Sequence, residues 1–268
     1  MLRQHFAGKK IGIITGSGPE AGIDLWKKLL QANRAMFGVS FCGDLDAPNV
    51  TIFSEPMLGL SMELEKNDAV VWDCLSNAVR IIAQRVDYYA IACNTLNYYQ
   101  PKLEALNLPA KLISFADVVL EYLRENKISQ LALLGARPVT DLGAWSHYKK
   151  LADDIEIELP KPAQVINLHK LIYDVKIFGG DSPGIHARFR AIIDTLEAQT
   201  VLLACTELPL ISIKSISHQL IDVTELVALK LAQLSQRNFI SIAGRVGRIP
   251  GEDRQDPRHL GRRSREDL

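Results

Sequence analysis

The chain has 268 residues, 47% of them hydrophobic and 23% charged, enough to bury a substantial core in one or two domains. Thirty-one basic and thirty-one acidic side chains cancel, so no global charge draws it to nucleic acid or to an acidic membrane surface. Residues 1–10 lack a signal-peptide core, no apolar run nears the roughly 20 residues of a membrane span, and the four cysteines show no CxxC spacing; the expectation is a cytoplasmic protein with free thiols, no disulfide and no zinc site.

In chain order, residues 10–15 (KIGIIT) read as a buried strand and 20–35 as an amphipathic helix. A second strand is predicted at 50–53, a helix at 69–85, and a third strand at 88–92 (YYAIA) that runs into Cys93. Residues 112–114 and 116–126 continue as a short strand and a helix. Short β-branched strands alternating with helices predict an α/β fold whose parallel sheet is covered on both faces.

The second half repeats this order. Residues 130–135 (QLALLG) mirror 10–15, a helix is predicted at 143–152, and another at 187–196. The strand at 201–204 (VLLA) runs into Cys205, and 220–222 mirrors 112–114. The passages AIACNT and LLACTE lie 112 positions apart, which points to an internal duplication. The expected domains are residues 1–115 with 223–240, and residues 116–222. Residues 241–268 hold seven of the sixteen arginines and no lysine, mixed with acidic residues, and read as a disordered tail rather than a nucleic-acid arm.

Both cysteines are predicted at the carboxyl ends of strands, where open α/β sheets bind ligands, and each is followed by a threonine. A free cysteine there is commonly a small apolar filler. Two matched passages carry more weight. A hydroxyl, turn amides and a helix start can hold a carboxylate and activate a thiol. Inverting a stereocentre by proton transfer needs a base on one face and an acid on the other, which two such thiols supply. The loop Thr15-Gly16-Ser17-Gly18-Pro19 offers further amides for a carboxylate. Its glycine spacing also nears a dinucleotide fingerprint, but Pro19 removes an amide and no acidic residue ends a second strand about 20 residues on.

The residues IGIITGSGPEA, CNT at 93–95 and ACTELPL at 204–210, with LPAKLIS and QLIDVTE, resemble the aspartate/glutamate racemase superfamily, in its aspartate racemase-like branch, over residues 10–235. The resemblance implies two similar α/β domains with mainly parallel sheets, related by a pseudo-twofold, with the active site in the cleft between them. It also implies a homodimer acting on a small amino acid without pyridoxal phosphate or metal. By this likeness Cys93 and Cys205 are the catalytic pair, and Ser17, Asn94, Thr95, Thr206, Glu207 and Lys176 bind substrate. A decarboxylase or cis–trans isomerase of a small dicarboxylic acid, or a non-catalytic binding relative, are the alternatives. Three departures stand out: TGSGP replaces GGMGP, Leu96-Asn97 replaces a histidine after CNT, and SEPMLGLSM lacks an arginine. In aspartate-specific relatives that arginine joins a lysine, near Lys176 here, in gripping the side-chain carboxylate. His147 and His169, in predicted helices, read as surface or core residues, and Cys42 and Cys74 as spectators.

Overall fold

The computed structural model describes residues 8–212 and 216–236. The expected tail at 241–268 lies outside the described residues. In chain order the elements are β1 (Ile11–Thr15), α1 (Pro19–Phe37), β2 (Val50–Ser54), α2 (Leu64–Ile82), β3 (Tyr88–Ile91), α3 (Gln100–Glu104), β4 (Lys111–Leu112) and α4 (Phe115–Glu125). They continue as β5 (Gln130–Gly135), α5 (Arg137–Thr140), β6 (Glu156–Glu158), α6 (Pro162–Phe178), α7 (Ile185–Ile193), β7 (Thr200–Ala204), β8 (Gln219–Asp222) and α8 (Val223–Ser235). Local chemistry sets the boundaries. Pro19 opens α1, and the Asp222 carboxylate caps α8 by accepting from Thr224 N and Glu225 N at 2.8 and 3.3 Å.

The strands form two parallel sheets of four, ordered β2-β1-β3-β4 and β6-β5-β7-β8. The order is the same in both halves, and the central registers match: Ile14 lies beside Ile91, and Leu134 beside Leu203. The duplication inferred from sequence is thus repeated in topology. Each central pair ends at a cysteine-bearing loop.

Alternation along the central strands divides the interior. Ile11, Ile13, Ala90 and Ala92 of the first sheet, and Leu131, Leu133, Leu202 and Ala204 of the second, enter one core shared with α1, α4 and α8. The intervening residues point the other way, Tyr89, Ile91 and Cys93 into one outer core and Val201, Leu203 and Cys205 into another. Both thiols therefore occupy the same face of their sheets relative to the shared core. Loops also cross between the halves: Met62 packs in the core around Cys205, and Trp145 packs against that around Cys93.

One sequence expectation needs correction, and one strand was not anticipated. The helix predicted at 143–152 is instead a turn followed by the 3-10 turn His147–Asp153. Leu142 has φ 50°, the Asp141 carboxylate accepts from Gly143 N, and the Ser146 hydroxyl accepts from Tyr148 N, so side chains satisfy the amides a longer helix would use. Edge strand β6, Glu-Ile-Glu, has too little apolar signal to be legible alone. Among the described residues no helix is long and apolar enough to cross a membrane.

Candidate active site

β3 and β7 deliver Cys93 and Cys205 directly, the sulfurs following the alternation of their strands; the two residues are 9% and 6% exposed. The loops beyond them meet. The Thr206 hydroxyl reaches Ala92 O across the halves at 3.4 Å.

Around Cys93 the groups are hydrogen-bond donors. The Ser17 hydroxyl donates to Cys93 Sγ at 3.2 Å and lies 2.8 Å from the Ser61 hydroxyl. Because the Ser17 proton goes to sulfur, Ser61 supplies the proton between the two hydroxyls. Ser61 comes from the 3-10 turn Pro56–Glu63 after β2 and is itself 3.8 Å from Cys93 Sγ. The glycine loop expected to present amides to a carboxylate thus presents a hydroxyl to the thiol and, through Ser17 O, a carbonyl to Lys176.

Around Cys205 the groups are acidic. Cys205 Sγ donates to Glu207 Oε2 at 3.0 Å, and Glu207 Oε1 is paired with Lys176 Nζ. Gly18, at φ 151°, leaves the space for this pair, since a Cβ there would collide with Glu207 Oε1. Burial, reinforced by the Glu207 carboxylate and opposed by Lys176, pushes the Cys205 thiol well above its ordinary pKa. Lys176 is buried too, which disfavours its charge, but Glu207, Cys205 and Cys93 together raise its pKa and keep it an ammonium. Lys176 also donates to Ser17 O, and Ser17 bonds Cys93, so the lysine ties the surroundings of one thiol to those of the other.

The remaining expected residues line the same loops. Asn94, Thr95 and Thr206 are 3%, 3% and 2% exposed. Asn94 Oδ1 accepts from the Tyr148 hydroxyl at 2.6 Å, while its Nδ2 is buried without a protein partner. Asn97, standing where a histidine was expected, donates from Nδ2 to Cys93 O at 2.9 Å and accepts from Phe115 N at 3.0 Å. It ties the Cys93 loop to the start of α4. Among the described residues no group of three or more His, Cys, Asp or Glu is placed to hold a metal ion.

A family model described as Asp/Glu/Hydantoin racemase matches residues 14–231, which span both sheets and every group named above. The chain belongs to this racemase family. A broad-specificity amino-acid racemase, RacX, of Bacillus subtilis (strain 168) is 25% identical over 207 residues, covering 74% of this chain and 85% of that protein. The fold is also that of aspartate racemase from Picrophilus torridus, with TM-score 0.69, 22% identity and coverage of 84% and 95% of the two chains. An aspartate racemase homologue from Pyrococcus horikoshii OT3 gives TM-score 0.66 at 24% identity, covering 85% and 99%.

Within this racemase fold, a second set of charges clasps the site's rim across the halves. Glu63, two residues after Ser61, lies 3.2 Å from His169 Nε2 of α6 and 3.4 Å from Arg137 of α5, and Arg137 also reaches Glu65 at 3.1 Å. Burial resists ionisation of Glu63, but His169 and Arg137 outweigh it and hold the carboxyl below its ordinary range. The clasp fixes the turn that carries Ser61. Sequence reasoning missed Ser61, Arg137 and Tyr148. Ser61 sits in SEPMLGLSM, a passage noticed only for its missing arginine. Tyr148, which adjoins His147, carries no motif. His147 is 8% exposed and its ring lies tilted against that of Tyr148 with 4.1 Å between centroids, a core histidine rather than an acid/base group.

Proposed function

We propose that this chain is a cofactor-independent amino-acid racemase in which Cys93 and Cys205 move the Cα proton between the two faces of the substrate. The observation that carries this reading is the opposite hydrogen bonding of the thiols: Cys93 accepts from Ser17, whereas Cys205 donates to Glu207. One sulfur offers a lone pair and the other a proton, the pairing that begins a two-base inversion.

In this scheme the Cys93 thiolate takes the Cα proton, and the electron pair moves into the substrate carboxylate. Asn94, Thr95 and Thr206 hold that carboxylate as its charge grows. Cys205 then delivers its proton to the opposite face, leaving Cys93 as thiol and Cys205 as thiolate. The reverse reaction starts from that state. Lys176 bonds Ser17, the partner of Cys93, and Glu207, the partner of Cys205, and its charge offsets the negative charge on either thiol. Glu207 keeps Cys205 protonated until substrate arrives.

The same residues bear on substrate class. Lys176, the cation expected to grip a side-chain carboxylate, is already paired with Glu207, and Ser61 and Met62 occupy the turn after β2 where relatives place an arginine. A dicarboxylic amino acid would have to displace Glu207. This supports a site for uncharged side chains, and the Bacillus subtilis relative is named for broad specificity. The family likeness further supports a cytoplasmic homodimer.

The test is incubation with single-enantiomer amino acids in deuterated water without added cofactor. The expected result is deuterium at Cα together with the opposite enantiomer, with neutral amino acids turning over at least as fast as aspartate. No exchange with any amino acid would overturn the racemase reading. Loss of carbon dioxide instead would favour the decarboxylase alternative.

A second prediction concerns pH. Glu207→Gln removes the charge that raises the Cys205 pKa and frees Lys176, and both changes favour the thiolate. In the direction that uses Cys205 as the acid, the alkaline limb of kcat/KM should therefore move to lower pH. An unmoved limb would show that Glu207 does not set the protonation of Cys205.

A further inference from the structure

Asn94 holds an unusual position among the buried side chains. It is 3% exposed, its Oδ1 is filled by the Tyr148 hydroxyl at 2.6 Å, and its Nδ2 has no partner in the protein. A buried amide donor without an acceptor is costly, and it calls for a ligand that brings one. The tyrosine decides which end of the amide is left open. Tyr148 is completely buried, and burial raises its pKa and keeps the phenol protonated. Its hydroxyl proton needs an acceptor, and Oδ1 is the one it has. Turning the amide over would strand that proton and put Oδ1 in the unpartnered position that Nδ2 now holds.

The phenol is itself rigidly placed. Ser146 Oγ donates to Val139 O at 2.7 Å and accepts from Tyr148 N at 3.3 Å, and His147 stacks on the ring. Tyr148 comes from the second half of the chain, after β5, whereas Asn94 follows Cys93 in the first half. The orientation of Asn94 thus depends on the two halves being docked.

We propose that Tyr148 is a positioning residue that locks the Asn94 amide with Nδ2 presented to the α-carboxylate of the substrate. The proposal rests on the racemase reading. Since charge flows into the carboxylate as the Cα proton leaves, the oriented donor strengthens in the transition state, and its loss appears in kcat as well as KM.

The experiment compares free amino acids with the matching amino-acid amides, whose carboxamide offers a donor as well as an acceptor. In Tyr148→Phe the Asn94 amide is free to turn, so its Oδ1 can accept from a carboxamide NH2. The expected result is a fall of roughly 10–100-fold in kcat/KM for the amino acid, with a clearly smaller fall for the amide. A merely structural role would lower both alike and overturn the proposal, as would an unchanged kcat/KM. Should Tyr148→Phe fail to fold, Asn94→Asp keeps the phenol bond but places a carboxylate oxygen where the donor stood. It should lose the amino acid and retain the amide; full activity toward the amino acid overturns the proposal.

A readout without turnover separates this from the racemase reading. In the wild type, the Asn94 side-chain NH2 resonance, assigned by its loss in Asn94→Asp, should shift when a panel of single-enantiomer amino acids is added and shift less with their amides, whose neutral carbonyl is the weaker acceptor. The shift should weaken in Tyr148→Phe. A protein that shows this shift but exchanges no Cα proton overturns the racemase reading and keeps the Tyr148 assignment. Absence of any shift in the wild type overturns the assignment.

Discussion

Cys93→Ala and Cys205→Ala should each lower racemisation by roughly 10²–10⁴-fold, the range in which a positioned acid or base contributes to a proton transfer. The stronger expectation is in how the two variants differ. With Cys205 gone, Cys93 can still draw a proton from one enantiomer and return deuterium to the same face, so exchange survives for that enantiomer without inversion. Cys93→Ala should leave the complementary exchange, if the remaining thiol is freed from Glu207 by raising the pH. Each substitution removes a single sulfur from an outer core, so thermal melting should show the fold intact. Deuterium exchange and chiral chromatography on both variants read the result. Full racemisation by both would eliminate the two-thiol scheme.

The second large effect is on acid stability and comes from His147. The residue is buried, and its two ring nitrogens are closed to solvent and lack partners in the protein. Burial, helped by Lys150 and opposed by Asp117, lowers its pKa from 6.5 to about 3. An unfolded chain takes up the proton near 6.5, whereas the folded one refuses it until about 3. Stability associated with His147 is therefore fully present above 6.5 and is lost progressively as pH falls toward 3. Between pH 7.5 and 4.5 the loss is on the order of 3 kcal/mol, at roughly 1.4 kcal/mol per pH unit below the unfolded value. His147→Leu cannot titrate, so its urea midpoint should change less over that interval by about that free energy. The lowered carboxyl of Glu63 remains in both proteins and cancels in the comparison. Equal acid sensitivity of the two proteins would show that His147 is protonated in the fold.

The strands that carry the thiols were legible because their signal is local. IGIIT, YYAI, QLALLG and TVLLA are short β-branched or leucine runs, and a buried parallel strand needs little else to be recognised. The segment at 143–152 reads as a helix because it follows the proline-containing turn after the strand at 130–135, as the first helix follows 10–15. Asp141 and Ser146 override that parallel by bonding the local amides. The departures from the family pattern were visible as letters, but their meaning was not. Asn97 proves to be a brace between Cys93 and α4, and the turn without its arginine supplies Ser61 to the thiol.

Residue order alone fixed the alternation of strands and helices, the repeat across the two halves, and the two cysteines at matching strand ends, because each depends on neighbours close in the chain. What only the tertiary structure decided is the difference between those two matched positions. Ser17 and Ser61 reach Cys93, whereas Glu207, paired with Lys176, reaches Cys205, and Tyr148 crosses from the opposite half to orient Asn94. Glu207 is a near neighbour of its thiol, but Ser17, Lys176 and Tyr148 lie tens of residues from the groups they bond and are brought to them by the packing of two sheets around one shared core.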